Sequence, residues 1–254
     1  MRLAAPSCVL PGTVAENARF LAGRVREVAL CCFETAGTLA YTNRDLPPHP
    51  ERLPLGWHLH LPLDLPWAEG GDAAAETALA VWHKVCRLLP KCAVLHPPAG
   101  MPVKAARRAI AAFAARWRSL GPALLLENIR GCQLTELGQD FLDGEGLGVC
   151  LDVGHLLGYA QEELLASKLP ERARLIHWSA PGPDRGHDRH LPLTALTEGQ
   201  KATLLGLLPR LSPHAIHLLE VFAWPGVEAS MRWLAGAAGE AGAGESPAQR
   251  GGMA

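Results

Sequence analysis

Ala123-Leu124-Leu125-Leu126-Glu127-Asn128 is an apolar run that ends abruptly on a carboxylate and an amide. A run this short, bounded by polar residues, reads as a strand buried on both faces. The next one, Leu147-Gly148-Val149-Cys150-Leu151-Asp152, also ends on a carboxylate, and Gly154-His155 follow at once. Working outward, Trp57–Leu61 carries His60 at its end, and Cys92–His96 ends on His96. Toward the C-terminus, Leu175–Trp178 carries His177 and Ile216–Val221 carries Glu220. Six successive apolar runs therefore finish on His, Glu or Asp.

Two more runs, Arg2–Cys8 and Glu27–Phe33, come first and bring the total to eight. Helical patterns lie between most of them. Thr13-x-x-Glu16 resembles a capping box and opens a helix through about Gly23. Asp72–Leu89 places Ala78, Leu79, Trp82, Val85, Cys86 and Leu89 at helical spacing, and Val103–Arg118 is rich in alanine and arginine. Shorter patterns cover Thr135–Leu142, Glu162–Leu169, Thr197–Leu208 and Val227–Leu234, whereas Leu46–Pro54 is too dense in proline for a long helix. The alternation predicts an α/β protein, a (β/α)₈ TIM barrel forming one catalytic domain over residues 1–235. A doubly wound open sheet is the alternative, weakened because no G-x-G-x-x-G follows the first run. Residues 236–254 are rich in Gly, Ala, Glu and Ser, and a disordered tail is expected there.

Composition narrows the function. The chain has 254 residues, 48% of them hydrophobic, and 24 Lys+Arg against 25 Asp+Glu. That excludes an acidic, poorly apolar disordered chain, and argues against nucleic-acid binding by bulk positive charge. No apolar run is long enough to span a bilayer, and Met1–Pro6 lacks the apolar stretch of a signal peptide. The seven cysteines, Cys8, Cys31, Cys32, Cys86, Cys92, Cys132 and Cys150, form no C-x-x-C pair. Most fall in apolar runs and read as buried free thiols, which fits a cytoplasmic protein. Eleven histidines beside two tyrosines are the oddity.

In a barrel the strand C-termini meet on one face. The six endings then gather His60, His96, Glu127, Asp152, His177 and Glu220 in one bowl, with His155 close behind. Imidazole and carboxylate together suit zinc, manganese or iron, and burying so many ionisable groups without a cation is costly. Gly186-His187-Asp188-Arg189-His190 adds a D-x-H unit that can join His155 in a separate metal position, with His187 as a supporting residue or in exchange with His190. His49, His58, His83, His214 and His217 are left as ordinary core or surface histidines. Glu34 ends the second run and is a candidate for substrate contact. Asn128 is a candidate to orient Glu127 or substrate. Arg130, Arg185 and Arg189 are candidates for phosphate, with plain surface charge as the alternative. Trp67 and Trp178 lie just past strand ends and can stack on a planar ring or simply pack.

The order of these residues resembles the xylose-isomerase-like barrels, and within them the type-2 apurinic-endonuclease group. The resemblance implies nine ligands: His60, His96, Glu127, Asp152, His155, His177, Asp188, His190 and Glu220. It implies one metal on His60, His96 and Glu127, a second sharing Glu127 and adding Asp152, His177 and Glu220, and a third on His155, Asp188 and His190. Ser7-Cys8-Val9-Leu10-Pro11 with Asn17 and Leu21, the Glu27–Glu34 strand, and His60-Leu61-Pro62-Leu63-Asp64-Leu65 look like one branch, the cobamide-remodelling phosphodiesterases. Membership would imply hydrolysis of the nucleotide-loop phosphodiester of a vitamin B12-type corrinoid, giving cobinamide phosphate and a lower-ligand riboside. Glu127, Asp152 and Glu220 would be the catalytic carboxylates. Two or three divalent ions are implied, zinc first, with manganese, iron or cobalt as substitutes. Leu46–Pro54 and His177-Trp178-Ser179-Ala180-Pro181 depart from the family pattern. No nucleic acid, membrane or obligate protein partner is expected. A sugar isomerase or epimerase on the same barrel, or an apurinic-site DNA endonuclease, are the competing activities.

Overall fold

The computed structural model describes residues 1–182 and 189–243. Eight parallel strands close into a barrel in sequence order: β1 (Arg2–Pro6), β2 (Glu27–Cys31), β3 (Gly56–His60), β4 (Cys92–Leu95), β5 (Ala123–Glu127), β6 (Gly148–Asp152), β7 (Ala173–Trp178) and β8 (Ile216–Leu219). β8 pairs with β1 to complete the ring. All eight expected runs are strands, and the open-sheet alternative is excluded.

The two faces of each strand alternate with period two. Leu124 and Leu126, Val149 and Leu151, and Ile176 and Trp178 pack outward in the large core under the helices. Ala4, Ala29, Cys92, Val94, Leu125, Cys150, Leu175, Ile216 and Leu218 turn inward and form a separate apolar plug in the barrel. Two residues beyond the inward members of β4 to β8 stand His96, Glu127, Asp152, His177 and Glu220. The same spacing that makes the plug therefore sets a polar layer directly above it. On β3 the inward positions are His58 and His60, so one histidine stands in the plug layer and the other in the polar layer.

The connecting elements differ from the sequence expectation in detail. The capping box at Thr13 is formed: its hydroxyl accepts from the Glu16 N–H, and Glu16 Oε2 accepts from the Thr13 N–H. The Thr135–Leu142 pattern splits into Leu134–Leu137 and Gln139–Gly144, because Gly138 takes φ 77°, a left-handed value that interrupts a helix. Glu162–Leu169 likewise divides into Glu162–Ala166 and Leu169–Arg172. Leu46–Pro54 holds only the 3₁₀ turn Pro50–Arg52. Two short helices lacked a clear sequence signal: Thr35–Leu39 after β2 and Val153–Gly158 after β6. The last helix runs Trp224–Ala243, so residues 236–243 are helical rather than part of a tail. No helix among the described residues is long and apolar enough to cross a membrane.

All seven cysteines are free thiols, but Cys8 is exposed and Cys31 and Cys86 are partly so, correcting the expectation of burial at Cys8 and Cys31. Burial pushes the Cys32 and Cys92 thiols up to about 12 and Cys132 up to about 11, which keeps them protonated and inert.

Candidate metal centre

The polar layer is compact. Glu127 lies at its middle, buried, with Oε2 3.3 Å from His60 Nε2 and 3.3 Å from His96 Nε2. Its other oxygen, Oε1, lies 3.4 Å from His155 Nδ1 and 3.5 Å from His177 Nδ1. His177 Nδ1 is also 2.9 Å from Glu220 Oε2 and 3.6 Å from Asp152 Oδ2. His190 Nδ1 stands 3.7 Å from Glu220 Oε2. Among the described residues two groups of ligand atoms converge within 4.8 Å: His60, Glu127 and His177, and Glu127, Asp152, His177 and Glu220.

These atoms are near one another without being aligned as hydrogen bonds. Glu127 Oε2, Asp152 Oδ2, Glu220 Oε2 and both His177 ring nitrogens are buried with no hydrogen-bond partner. Buried polar atoms are nearly always paired, so a cluster of orphans points to a missing common partner. The spacing fits a cation. Four ligands at about 2.0–2.1 Å from a tetrahedral ion stand about 3.3 Å apart, the distance from Glu127 to His60 and His96.

The surroundings decide which nitrogen each ring offers. His60 Nδ1 lies 2.9 Å from the Leu61 carbonyl, and His155 Nδ1 lies 2.8 Å from the Asn128 carbonyl. A carbonyl only accepts, so Nδ1 carries the proton and Nε2 keeps the lone pair in the neutral ring. Metal-ligating histidines are held in this way. Asp152 divides its oxygens: Oδ1 accepts from the His155 N–H and caps the helix Val153–Gly158, while Oδ2 faces His177.

Electrostatics agree with the geometry. Burial alone would raise the Glu127 carboxyl, but the imidazoles of His177, His96 and His60 outweigh it and hold it well below the usual carboxylate range. Glu220 is likewise held low against its burial, chiefly by His177. Burial would lower His177, but Cys150, Glu220, Glu127 and Asp152 together lift it well above an ordinary histidine. The layer therefore favours ionised carboxylates, the form that binds a cation.

The other sequence candidates divide. Asn128 is fully buried and its amide is committed: Nδ2 donates to the Asp152 carbonyl and to Gln161 Oε1, and Oδ1 accepts from the Asp152 N–H. It positions Asp152 and His155 and lies outside the lining of the metal-centre cavity. Trp178 points outward, fully buried, stacked on His217 with Nε1 donating to His217 Nδ1 at 3.0 Å. It cannot stack on a substrate, because strand alternation turns it away whenever His177 turns in. Trp67 packs on Phe113 at 5.4 Å. Glu34 is exposed at the start of Thr35–Leu39 and lies outside the lining of the metal-centre cavity. Arg130 and Arg189 are exposed. Asp188, with Arg185 and His187, lies outside the described residues, so the expected His155, Asp188 and His190 set is represented by its two histidines. Those rings stand 6.2 Å apart.

Of the histidines left as ordinary, His58 is a buried partner of Glu27, and His217 of Trp178. Sequence reasoning missed Phe33, Leu63 and Phe222. With His60, His96, Glu127, His155, His190 and Glu220 they line a cavity of about 190 Å³. Each lies two or three residues past a strand end, and that was the available signal. A larger cavity of about 570 Å³ lies at the opposite end of the barrel, beside Arg2, Trp57 and Lys91, and contains none of the proposed ligands.

No protein-family model matches the chain, and no curated protein matches it in sequence. Solved structures do match. A D-tagatose 3-epimerase-like protein superposes with TM-score 0.72 at 16% identity, covering 97% of this chain and 100% of that one. Endonuclease IV from Thermus thermophilus gives 0.68 at 19%, covering 94% and 100%. The TTHB071 protein of the same organism, from crystals soaked with zinc chloride, gives 0.65 at 25%, covering 94% and 99%. The fold, a closed eight-stranded parallel barrel, is shared with solved epimerase-like, endonuclease and xylose isomerase domain proteins.

Proposed function

We propose that the protein is a metal-dependent phosphodiesterase acting on a corrinoid nucleotide loop. The observation that carries the hydrolytic reading is Glu127, one carboxylate with imidazoles facing both oxygens. That arrangement suits a residue shared between two metal positions: His60 and His96 on one side, and Asp152, His177 and Glu220 on the other. His155 and His190, with Asp188, would hold a third. Zinc fits the donor set, and zinc was soaked into the similar TTHB071 protein.

Bound divalent ions would supply charge neutralisation of the phosphate oxygens and acidification of water. The chain's own residues do the rest. Asn128 and the helix cap fix Asp152 and His155, so little reorganisation is needed at reaction. The apolar plug of Val94, Leu125, Cys150, Leu175 and Leu218 closes the floor against water. Arg130 and Arg189, both exposed, would be the residues to meet phosphate charge. A cavity of about 190 Å³ takes the scissile group and its neighbour, leaving a macrocycle across the mouth. The corrinoid assignment itself rests on the sequence resemblance at residues 7–11, 27–34 and 60–65.

A second reading, a sugar epimerase, is favoured by the tight set Glu127, Asp152, His177 and Glu220, enough for one ion, and by the similarity to an epimerase-like protein. The DNA endonuclease reading is weakened by a net charge of −1. Incubation with adenosylcobalamin and added zinc, manganese, iron or cobalt, followed by chromatography, separates these. Cobinamide phosphate plus riboside is expected. Unchanged substrate with every metal, or epimerisation of a ketose, would overturn the proposal.

A further inference from the structure

The metal-centre cavity has two unlike sides. One is built of imidazoles and carboxylates; the other is Phe33, Leu63 and Phe222, just past β2, β3 and β8. The aromatic side is continuous with the ligands. Phe33 meets the His60 ring edge-on at 4.9 Å and the Phe222 ring at 5.7 Å, and Phe222 meets His190 at 5.1 Å. Leu63 is 51% and Phe222 37% exposed, and they are two of six large apolar side chains left exposed among the described residues. Single exposed apolar residues are ordinary. Here two of them join a partly buried aromatic ring along one edge of a charged pocket.

We propose that this wall is the subsite for a planar, uncharged ring attached next to the substrate's anionic group. The protein then selects aryl- or nucleoside-type esters over esters of small polyols. The inference rests on the metal-centre reading above and names the substrate class for it. A flat ring laid on Phe222 and Leu63 removes apolar surface from water on both partners. Polyol hydroxyls in the same place would lose water and gain no hydrogen bond from phenyl or isobutyl groups. The wall thus offers the stacking surface for which Trp67 and Trp178 were candidates.

The test compares phenylphosphonate with methylphosphonate, two anions that differ only in the ring, binding to the zinc-loaded full chain by calorimetry. Phenylphosphonate is expected to bind about tenfold tighter, equivalent to about 1.4 kcal/mol. In Phe222→Ala the phenyl-to-methyl ratio should fall below about threefold. Leu63→Ala provides a second, more conservative variant with the same direction of change, and circular dichroism checks that each has folded. Equal affinities in the unaltered protein would overturn the wall while leaving the metal centre intact. A ratio unchanged in both folded variants would also overturn it. Binding of neither phosphonate would remove the metal-centre reading, and the wall with it.

Discussion

The Asn128 side chain pairs with both backbone polar groups of Asp152, Oδ1 accepting its N–H at 2.7 Å and Nδ2 donating to its carbonyl at 2.8 Å. The backbone carbonyl of Asn128 also holds the His155 ring. Two proposed ligands on the β6 turn thus depend on a residue at the end of β5.

Asn128→Ala should therefore act at a distance from the metal. It removes the side-chain partner of the buried Asp152 N–H and C=O and of Gln161 Oε1, at a cost of about 2–4 kcal/mol. Support of this kind is also worth about 10–100-fold in metal affinity. Thermal unfolding and zinc calorimetry check the two effects. A stable variant with unchanged zinc affinity would remove the positioning role.

Much of this was legible in the sequence because strand alternation is a strong constraint. Once eight runs form one barrel, Glu127, Asp152, His177 and Glu220 must share an inward layer above Leu125, Cys150, Leu175 and Leu218. The same alternation argues against Trp178 at the mouth, since it neighbours His177 on the strand. Weighing side-chain chemistry without strand parity hid that. The partners of Asn128 were hidden for a different reason: they are 24 and 33 residues away, and no local pattern records them. Phe33, Leu63 and Phe222 sit on three strand ends far apart in the sequence, and only the closed barrel puts them around one opening.

Stability at acid pH should depend on His217. Burial, with a smaller push from the N-terminal ammonium, pulls its imidazole down to about 4. The unfolded chain takes up this proton near 6.5. Between those values the unfolded state holds more proton, so stability rises with pH. The contribution is fully present above about pH 6.5 and is lost as pH falls toward about 4, up to about 3 kcal/mol. Protonation also removes the lone pair that accepts from Trp178 Nε1. Urea unfolding at pH 7 and 4.5 should show a loss about 2–3 kcal/mol smaller in His217→Gln than in the unaltered chain. Equal losses would contradict this.

At the opposite end of the barrel, Glu27 is buried between Arg2 and His58, 2.8 Å from His58 Nδ1. Its partners overcome burial and keep the carboxyl ionised. Glu27→Gln leaves both with a neutral acceptor, and weakening the hydrogen bonds to a buried carboxylate costs about 1–3 kcal/mol. At about 2–4 °C per kcal/mol in a chain this size, the melting temperature should drop by roughly 2–12 °C. Zinc stoichiometry should stay the same, because the plug separates Glu27 from the ligand layer. A variant that melts normally would show that the pair is not structural.

Chelation offers a fourth expectation. A ligand bound only by the folded chain stabilises it by about 2.7 kcal/mol at a hundredfold excess over its dissociation constant. Stripping with a chelator should lower the melting temperature, and added zinc should restore it. In Glu127→Gln the zinc-dependent part of the shift should shrink, because the shared carboxylate has lost its charge. Equal zinc-dependent shifts in the two proteins would argue against Glu127 as a ligand.

The central claim is that Glu127 joins two metal positions in one bowl. Elemental analysis of the zinc-saturated, gel-filtered chain tests it most directly. The account predicts two or three ions per chain, falling by at least one in Glu127→Gln; one ion or none in the unaltered protein would contradict it.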